Sequence, residues 1–175
     1  MSTISFFVSG EPKAQPRPKA FARNFGGKWM ARVYTPGSAE YWKSQIAIAA
    51  KPFLPTVPFA GPIKLSQVYY FARPKSHYRT GKNASLLRPD APVDHESKPD
   101  CENLQKATQD ALTQLGFWRD DSQVSKWDGH KVYCDEANPQ PGCWITIAPL
   151  NPPERQIPPQ AKIEALELFG KGAAA

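Results

Sequence analysis

Cysteine is scarce in this chain: Cys101, Cys134 and Cys143 form an odd set with no CxxC pair. That argues against a disulfide scaffold and for a reduced, intracellular protein. His130 with Cys134 and Cys143 does not fall into a zinc-site spacing either. No stretch approaches the roughly 18 apolar residues of a membrane span. The opening MSTISFFVSGEPK has no basic region ahead of its apolar run, so it does not read as a signal peptide. Acids are nearly missing from the first half. Residues 1–89 contain 14 Lys or Arg but only Glu11 and Glu40, a net of +12. The remainder holds 8 basic and 14 acidic residues, a net of −6, and the whole chain carries +6.

What is present is enough for one domain with a real core: 175 residues, of which 41% are hydrophobic. The 19 prolines imply several extended or turn segments without backbone donors. A half as basic as residues 1–89 suits a polyanion such as nucleic acid. The acids of the second half would repel that ligand unless a cation sat among them, and a divalent metal is the obvious candidate. The plainer alternative is that the two halves attract each other within the fold.

Along the chain, Ile4 to Val8 reads as a buried strand. GEPKAQPRPKAFARNFGGKWMARVYTP follows, an extended arm or a hairpin around Gly26–Gly27. Thr35 to Ala50 reads as a helix, with Pro36 near its start, Ser38 as a possible cap, and Tyr41, Trp42, Ile46 and Ala49 toward the core. Ile63 to Ala72 reads as a strand offering Leu65, Val68, Tyr70 and Phe71 to the core. Arg73 to Pro99 is a long polar loop, of the kind that is usually functional or disordered. Its basic residues, interleaved with His77 and Tyr78, suit a mobile loop touching phosphates. A solvated loop without a partner is the alternative. Val124 to Tyr133 and Trp144 to Ala148 read as strands joined by a hairpin-type loop, DEANPQPG. A proline-rich linker and a short helix or tail follow over residues 151–175.

The most informative stretch is KPDCENLQKATQDALTQLGFWRDD, Lys98 to Asp121. Leu104, Ala107, Ala111, Leu112 and Leu115 recur at helical spacing and would face the core. Glu102, Lys106 and Asp110 follow one another at i, i+4 on another face. Gly116 is the natural stop. A helix from about Asn103 to Leu115 is roughly 18–20 Å long. The five steps from Gly116 to Asp121, if extended, cover about 17 Å. If Gly116 reverses the chain, Asp121 arrives near Asp100 and Glu102. Dimerisation could instead bring Asp121 from another subunit. Carboxylates gathered so closely either take up a proton or bind a cation. Mg²⁺ suits hard oxygen donors, and such a site activates water for displacement at phosphorus. Lys106 would stabilise charge on the phosphate or orient the water. Taken singly, these residues have plainer roles: capping for Asp100 and Glu102, a turn for Asp120–Asp121, an ion pair for Lys106.

The same stretch, continued through Ser122-Gln123-Val124, resembles the signature of the RusA-type Holliday junction resolvases. That pattern is approximately D-x-D-N-L-x-K, then D-A-L, then G with a following D-D-x-Q-V. It is carried here by Asp100, Asn103-Leu104, Lys106, Asp110-Ala111-Leu112, Gly116 and Asp120 to Val124. GEPKAQPRPKAF and VYTP resemble the family's opening more loosely, so the endonuclease domain is expected over residues 1–150.

The resemblance implies a small α+β fold, a mixed sheet packed against helices in a single domain, and a homodimer. It implies Mg²⁺-dependent cleavage of four-way junction DNA by paired nicks, with Mn²⁺ able to substitute, in the cytoplasm of a bacterial or phage-infected cell. Asp100, Glu102 and Asp121 would bind the metal, with Asp120 beside them as a secondary ligand, and Lys106 would be the catalytic lysine. The candidate DNA contacts are Lys13, Arg17, Lys19, Arg23, Arg73, Lys75, Arg79 and Lys82. One departure matters: position 102 is Glu where the pattern has Asp, which moves the carboxylate by about 1.5 Å. A junction-binding protein with weakened catalysis is therefore the alternative. Asn103 and Leu104 are expected to be structural, and His95 an exposed loop residue.

Overall fold

The computed structural model describes residues 2–34 and 39–150. Six strands and two α-helices are formed there: β1 (Ile4–Ser9), β2 (Lys19–Phe25), β3 (Lys28–Tyr34), α1 (Glu40–Ala50), β4 (Ile63–Phe71), α2 (Cys101–Leu115), β5 (Val124–Tyr133) and β6 (Gly142–Pro149). The architecture is mixed α+β. A four-stranded sheet has the order β1-β6-β4-β5, and β2 and β3 form a separate two-stranded ribbon. The expected linker and helix beyond residue 150, like Pro36 and Ser38 before α1, lie outside the described residues. Among the described residues no helix is long and apolar enough to cross a membrane.

β4 shows why the sheet sits where it does. Its burial alternates strictly, with Ile63, Leu65, Gln67, Tyr69 and Phe71 inside. A pleated strand sends successive side chains to opposite faces, so Val68 and Tyr70, expected in the core, belong to the other face. The inner face meets both helices. From α1 come Trp42, Ile46 and Ala50, one helical turn apart, while Tyr41 is 69% exposed, contrary to expectation. From α2 come Leu104, Ala107, Thr108, Ala111 and Leu112. The two helices are tied by Lys43 Nζ donating to Asp110 Oδ2 at 3.2 Å, a pair largely withdrawn from solvent.

α2 begins at Cys101, with Asp100 in an extended N-cap conformation, and ends at Gly116 in the left-handed region (φ 84°). Only glycine adopts that conformation without a steric cost. The chain does not then run straight back along the helix. Phe117 and Trp118 turn inward and are almost fully buried. Trp118 Nε1 donates to Thr113 Oγ1 at 2.7 Å, and the Phe117 carbonyl accepts from Phe59 N at 2.7 Å. The two aromatics close the core at the end of α2, and Asp121–Gln123 forms a 3-10 turn there.

β5 makes the return, pairing with β4 in parallel. Strand β4, helix α2 and strand β5 are thus a crossover unit, in which the helix runs opposite to both strands. The far end of β5 reaches the start of α2, where Lys131 Nζ donates to the carbonyls of Ser97 and Pro99 at 2.7 and 2.9 Å. The expected β5–β6 hairpin is not formed. β6 pairs antiparallel with β4 and β1, so the connection passes from one side of β4 to the other.

Phe117→Ala should lower unfolding free energy by about 3–5 kcal/mol, the usual cost of emptying a buried phenylalanine site. Urea titration followed by tryptophan fluorescence measures it.

Candidate active site

The directions of the strands place one end of the sheet under the start of α2. β1, β4 and β5 all finish there. A cleft of about 570 Å³ opens at that end, lined among others by Glu11, Lys13, Arg17, His95, Lys98, Asp100 and Asn103. The arm after β1 is fastened across it by Gln15 N donating to the Asn103 carbonyl at 2.8 Å. An arm containing the sequence's first cations is thereby fixed beside the first acids of α2.

Asp100 is exposed and its carboxylate does not cap the helix. Asn103 Nδ2 approaches its Oδ2 at 3.4 Å, a long contact. Glu102 is also exposed and accepts from Arg17 Nη2 at 3.0 Å, while Arg17 Nε approaches Asn103 Oδ1 at 3.4 Å. A chain of contacts therefore runs Glu102–Arg17–Asn103–Asp100 and links Glu102, outside the cleft lining, to Asp100, which is part of it. Arg17, expected to touch DNA, is engaged with an acid, and Asn103 is more than a helix-start residue. An ion pair this exposed is worth little and exchanges partners readily.

Lys106 stands one turn along from Glu102. The expected i, i+4 ladder is broken: Glu102 turns to Arg17 and Asp110 to Lys43. Lys106 is left exposed, with no ion pair among the described residues.

Asp120 and Asp121 lie elsewhere. They precede β5, whereas Pro99, the residue before Asp100, is held at its far end by Lys131. Seven strand steps separate Val124 from Lys131, so Asp121 and Asp100 are on the order of 20 Å apart in one chain. Asp120, proposed as a secondary ligand, works as a cap: its Oδ1 accepts from Ser122 N at 2.9 Å, and Gln123 reciprocates at the Asp120 backbone. Hydrogen bonds from Ser122 hold its carboxyl below the usual range. Gln123 Nε2 also donates to the Phe59 and Gly61 carbonyls at 3.0 Å, so this part of the signature is structural. Asp121 itself is exposed. The within-chain convergence of Asp100, Glu102 and Asp121 is not formed, and no group of three or more potential metal-binding side chains occurs among the described residues.

The donors still fit Mg²⁺ chemically. This ion often takes one or two carboxylates and completes its shell with water and phosphate oxygen. Asp100, which lines the cleft, and Glu102, two residues on, supply two hard oxygen donors on exposed side chains.

The long loop before α2 is better anchored than its sequence suggests. Arg73, expected to contact phosphates, donates to the Cys134 and Pro92 carbonyls at 2.7 Å each and lies over the Tyr133 ring. It staples the loop to the sheet. Lys75, Arg79 and Lys82 remain exposed, as do Lys13, Lys19 and Arg23. His95 is not an exposed loop residue. Its ring stacks on Phe71 at 4.1 Å between centroids and packs near Tyr133 at 4.9 Å. No sequence signal marks this, because Phe71 and Tyr133 meet His95 only after β4 and β5 pair. His130, considered for zinc, instead contacts Asp94 at 2.8 Å.

Burial, followed by the nearby Lys131 charge, lowers the His95 pKa. The fold therefore favours the neutral ring. Its stabilising share is complete above the ordinary histidine pKa of about 6.5 and is lost as pH falls below that value. Between pH 7 and pH 5 the wild-type Tm should drop more steeply than that of His95→Phe, which keeps the stacking but cannot protonate. Thermal melts at matched ionic strength check this.

The sequence profile of the family described as Endodeoxyribonuclease RusA matches residues 9–147. The uncharacterized protein YqaN of Bacillus subtilis (strain 168) is 36% identical over 141 residues, 78% of this chain and 92% of that protein.

Proposed function

This chain belongs to the RusA endodeoxyribonuclease family, and from that premise we propose that it resolves four-way DNA junctions by Mg²⁺-dependent, paired, symmetric nicks. The family acts on DNA phosphodiester bonds as hydrolases, and RusA-type resolvases depend on divalent metal ions in general. The observation that carries the reading is the start of α2: an exposed carboxylate lining the cleft, a second exposed carboxylate two residues on, an arginine that can let go of the second, and a lysine one turn away with no ion pair among the described residues.

Asp100 and Glu102 would hold the ion. When bound, it lowers the pKa of water and steadies the charge at phosphorus. The residues do the rest. Lys13 and Lys98 line the cleft and draw the DNA backbone into it. Arg17, displaced from Glu102, is free to bind a phosphate oxygen. Lys106, about one 5.4 Å turn beyond Glu102, adds positive charge where the phosphate becomes more negative.

A homodimer reconciles the distant Asp121 with this role. Two chains related by a two-fold axis across α2 set the start of one helix against the end of the other. Asp121 of the second copy then completes the set begun by Asp100 and Glu102. The same two-fold presents two cleavage centres to opposing strands of a junction. Binding without cleavage is the second reading, favoured by the Arg17–Glu102 pair at the one position that departs from the family pattern.

A synthetic four-way junction with Mg²⁺ should be nicked in pairs, and Asp100→Asn should slow this by about 100-fold or more. Binding with no nicks, even in Glu102→Asp, would favour the second reading. Subunit mixing tests the shared centre. Asp100→Asn and Asp121→Asn, each inactive alone, should regain single-strand nicking when mixed, because each mixed dimer rebuilds one complete centre. Mixtures that stay inactive would place all the ligands within one chain.

A further inference from the structure

The β2–β3 ribbon is the part of the molecule that the cleft does not use. It is a register-perfect antiparallel hairpin turned at Gly26–Gly27, both at positive φ (58° and 86°), with Gly27 N donating to Asn24 Oδ1 at 2.9 Å. Every residue of both strands is exposed, including Phe21, Phe25, Met30 and Tyr34 at 44–60%. Large apolar side chains in that number on an outlying ribbon mark a binding surface.

The register sorts them. Lys19 faces Tyr34, Phe21 faces Arg32, Arg23 faces Met30 and Phe25 faces Lys28, all on one side of the ribbon. That side interleaves four cations with Phe21, Phe25, Met30 and Tyr34. The opposite side carries Ala20, Ala22, Asn24, Trp29, Ala31 and Val33, with no charge. A depression of about 390 Å³ lies on the charged side among Phe21, Arg23, Phe25, Met30 and Arg32. No acid occurs between Glu11 and Glu40.

The occupant must be anionic and must offer flat apolar faces. A second copy of this side is excluded, since a two-fold contact would set four cations against four. In an intact duplex Phe finds only thymine methyl groups in the major groove, and Phe or Met can enter the stack only by wedging base steps apart at an unstacking cost. Bases with a free π-face satisfy both demands: their phosphates meet the cations and their rings stack on the aromatics. We propose that the Phe21/Phe25 side of the ribbon is the branch-point sensor, stacking on bases unstacked where the junction's strands exchange. The choice of branched DNA rests on the nuclease reading; the stacking surface itself does not.

The test uses the full chain without Mg²⁺ and a junction carrying 2-aminopurine at the branch, beside a linear duplex of the same sequence. The wild type should change the branch fluorescence on binding. Phe21→Ala/Phe25→Ala should abolish that change and weaken junction binding by about 10- to 100-fold, the size of one or two lost base stacks. Its duplex affinity should stay within about twofold. Arg23→Gln/Arg32→Gln should weaken both DNAs and reduce the log–log salt slope by about two, one per lost phosphate contact. Trp29→Ala, on the uncharged side, should match wild type in both assays.

Unchanged junction affinity and fluorescence in Phe21→Ala/Phe25→Ala would overturn the proposal. So would a loss explained by dissociation of the protein in sedimentation runs, or an equal loss in Trp29→Ala. A wild type that perturbs the branch base yet never nicks with Mg²⁺ sinks the nuclease reading and leaves the sensor standing. Normal paired nicking with an indifferent ribbon does the reverse.

Discussion

Parallel pairing of β4 with β5 governs where chemistry can happen in this molecule. Parallel neighbours need a crossover, and a helix in that crossover must run against both strands. The beginning of α2 is therefore delivered to the end of the sheet where β1, β4 and β5 finish, and its end to the opposite edge. Asp100 and Glu102 inherit the first location and Asp121 the second. Ridges, turns and caps then serve this arrangement. Gly116 breaks the helix, Phe117 and Trp118 close the core, and the Asp120–Gln123 capping box directs the chain into β5.

Charge is distributed to match. The cationic first half is not spread evenly over the surface. The arm from Glu11 to Arg17 is pinned to α2, so cations and carboxylates share one cleft without neutralising each other fully. The Lys43–Asp110 pair is different in kind, since it is withdrawn from solvent and joins the helices. Breaking such a pair leaves a partly buried charge, whereas the exposed Arg17–Glu102 pair can open at little cost. The first belongs to the fold and the second to the site.

Local features of the sequence were readable because local physics decides them. The periodicity of α2, the stop at Gly116 and the strand nature of β4 and β5 follow from spacing and backbone preference, and the hairpin at Gly26–Gly27 is one of the two forms those glycines allow. The partnering of strands does not. Val124–Tyr133 gives no sign that it pairs parallel with β4 instead of forming a hairpin with β6, and that one choice sends Asp121 away from Asp100. The packing of His95 and the anchoring of Arg73 are hidden for a related reason: their partners, Phe71, Tyr133, Cys134 and Pro92, are assembled only by that pairing. The exposure of Tyr41 and the outward turn of Val68 and Tyr70 are smaller errors of phase, one residue around a helix or along a strand. Asp100, Glu102 and Lys106 can be read as one candidate set because they lie within two turns of one element.

We propose that the carboxylates at the two ends of α2 serve one metal centre only when two copies meet. A crystal of the protein with Mn²⁺ and junction DNA, examined by anomalous scattering, tests it most directly. The expected result is a peak touching Asp100 and Glu102 of one copy together with Asp121 of the other. A metal held at Asp100 and Glu102 with no second chain beside it, or one bound at Asp121 apart from them, would contradict the claim.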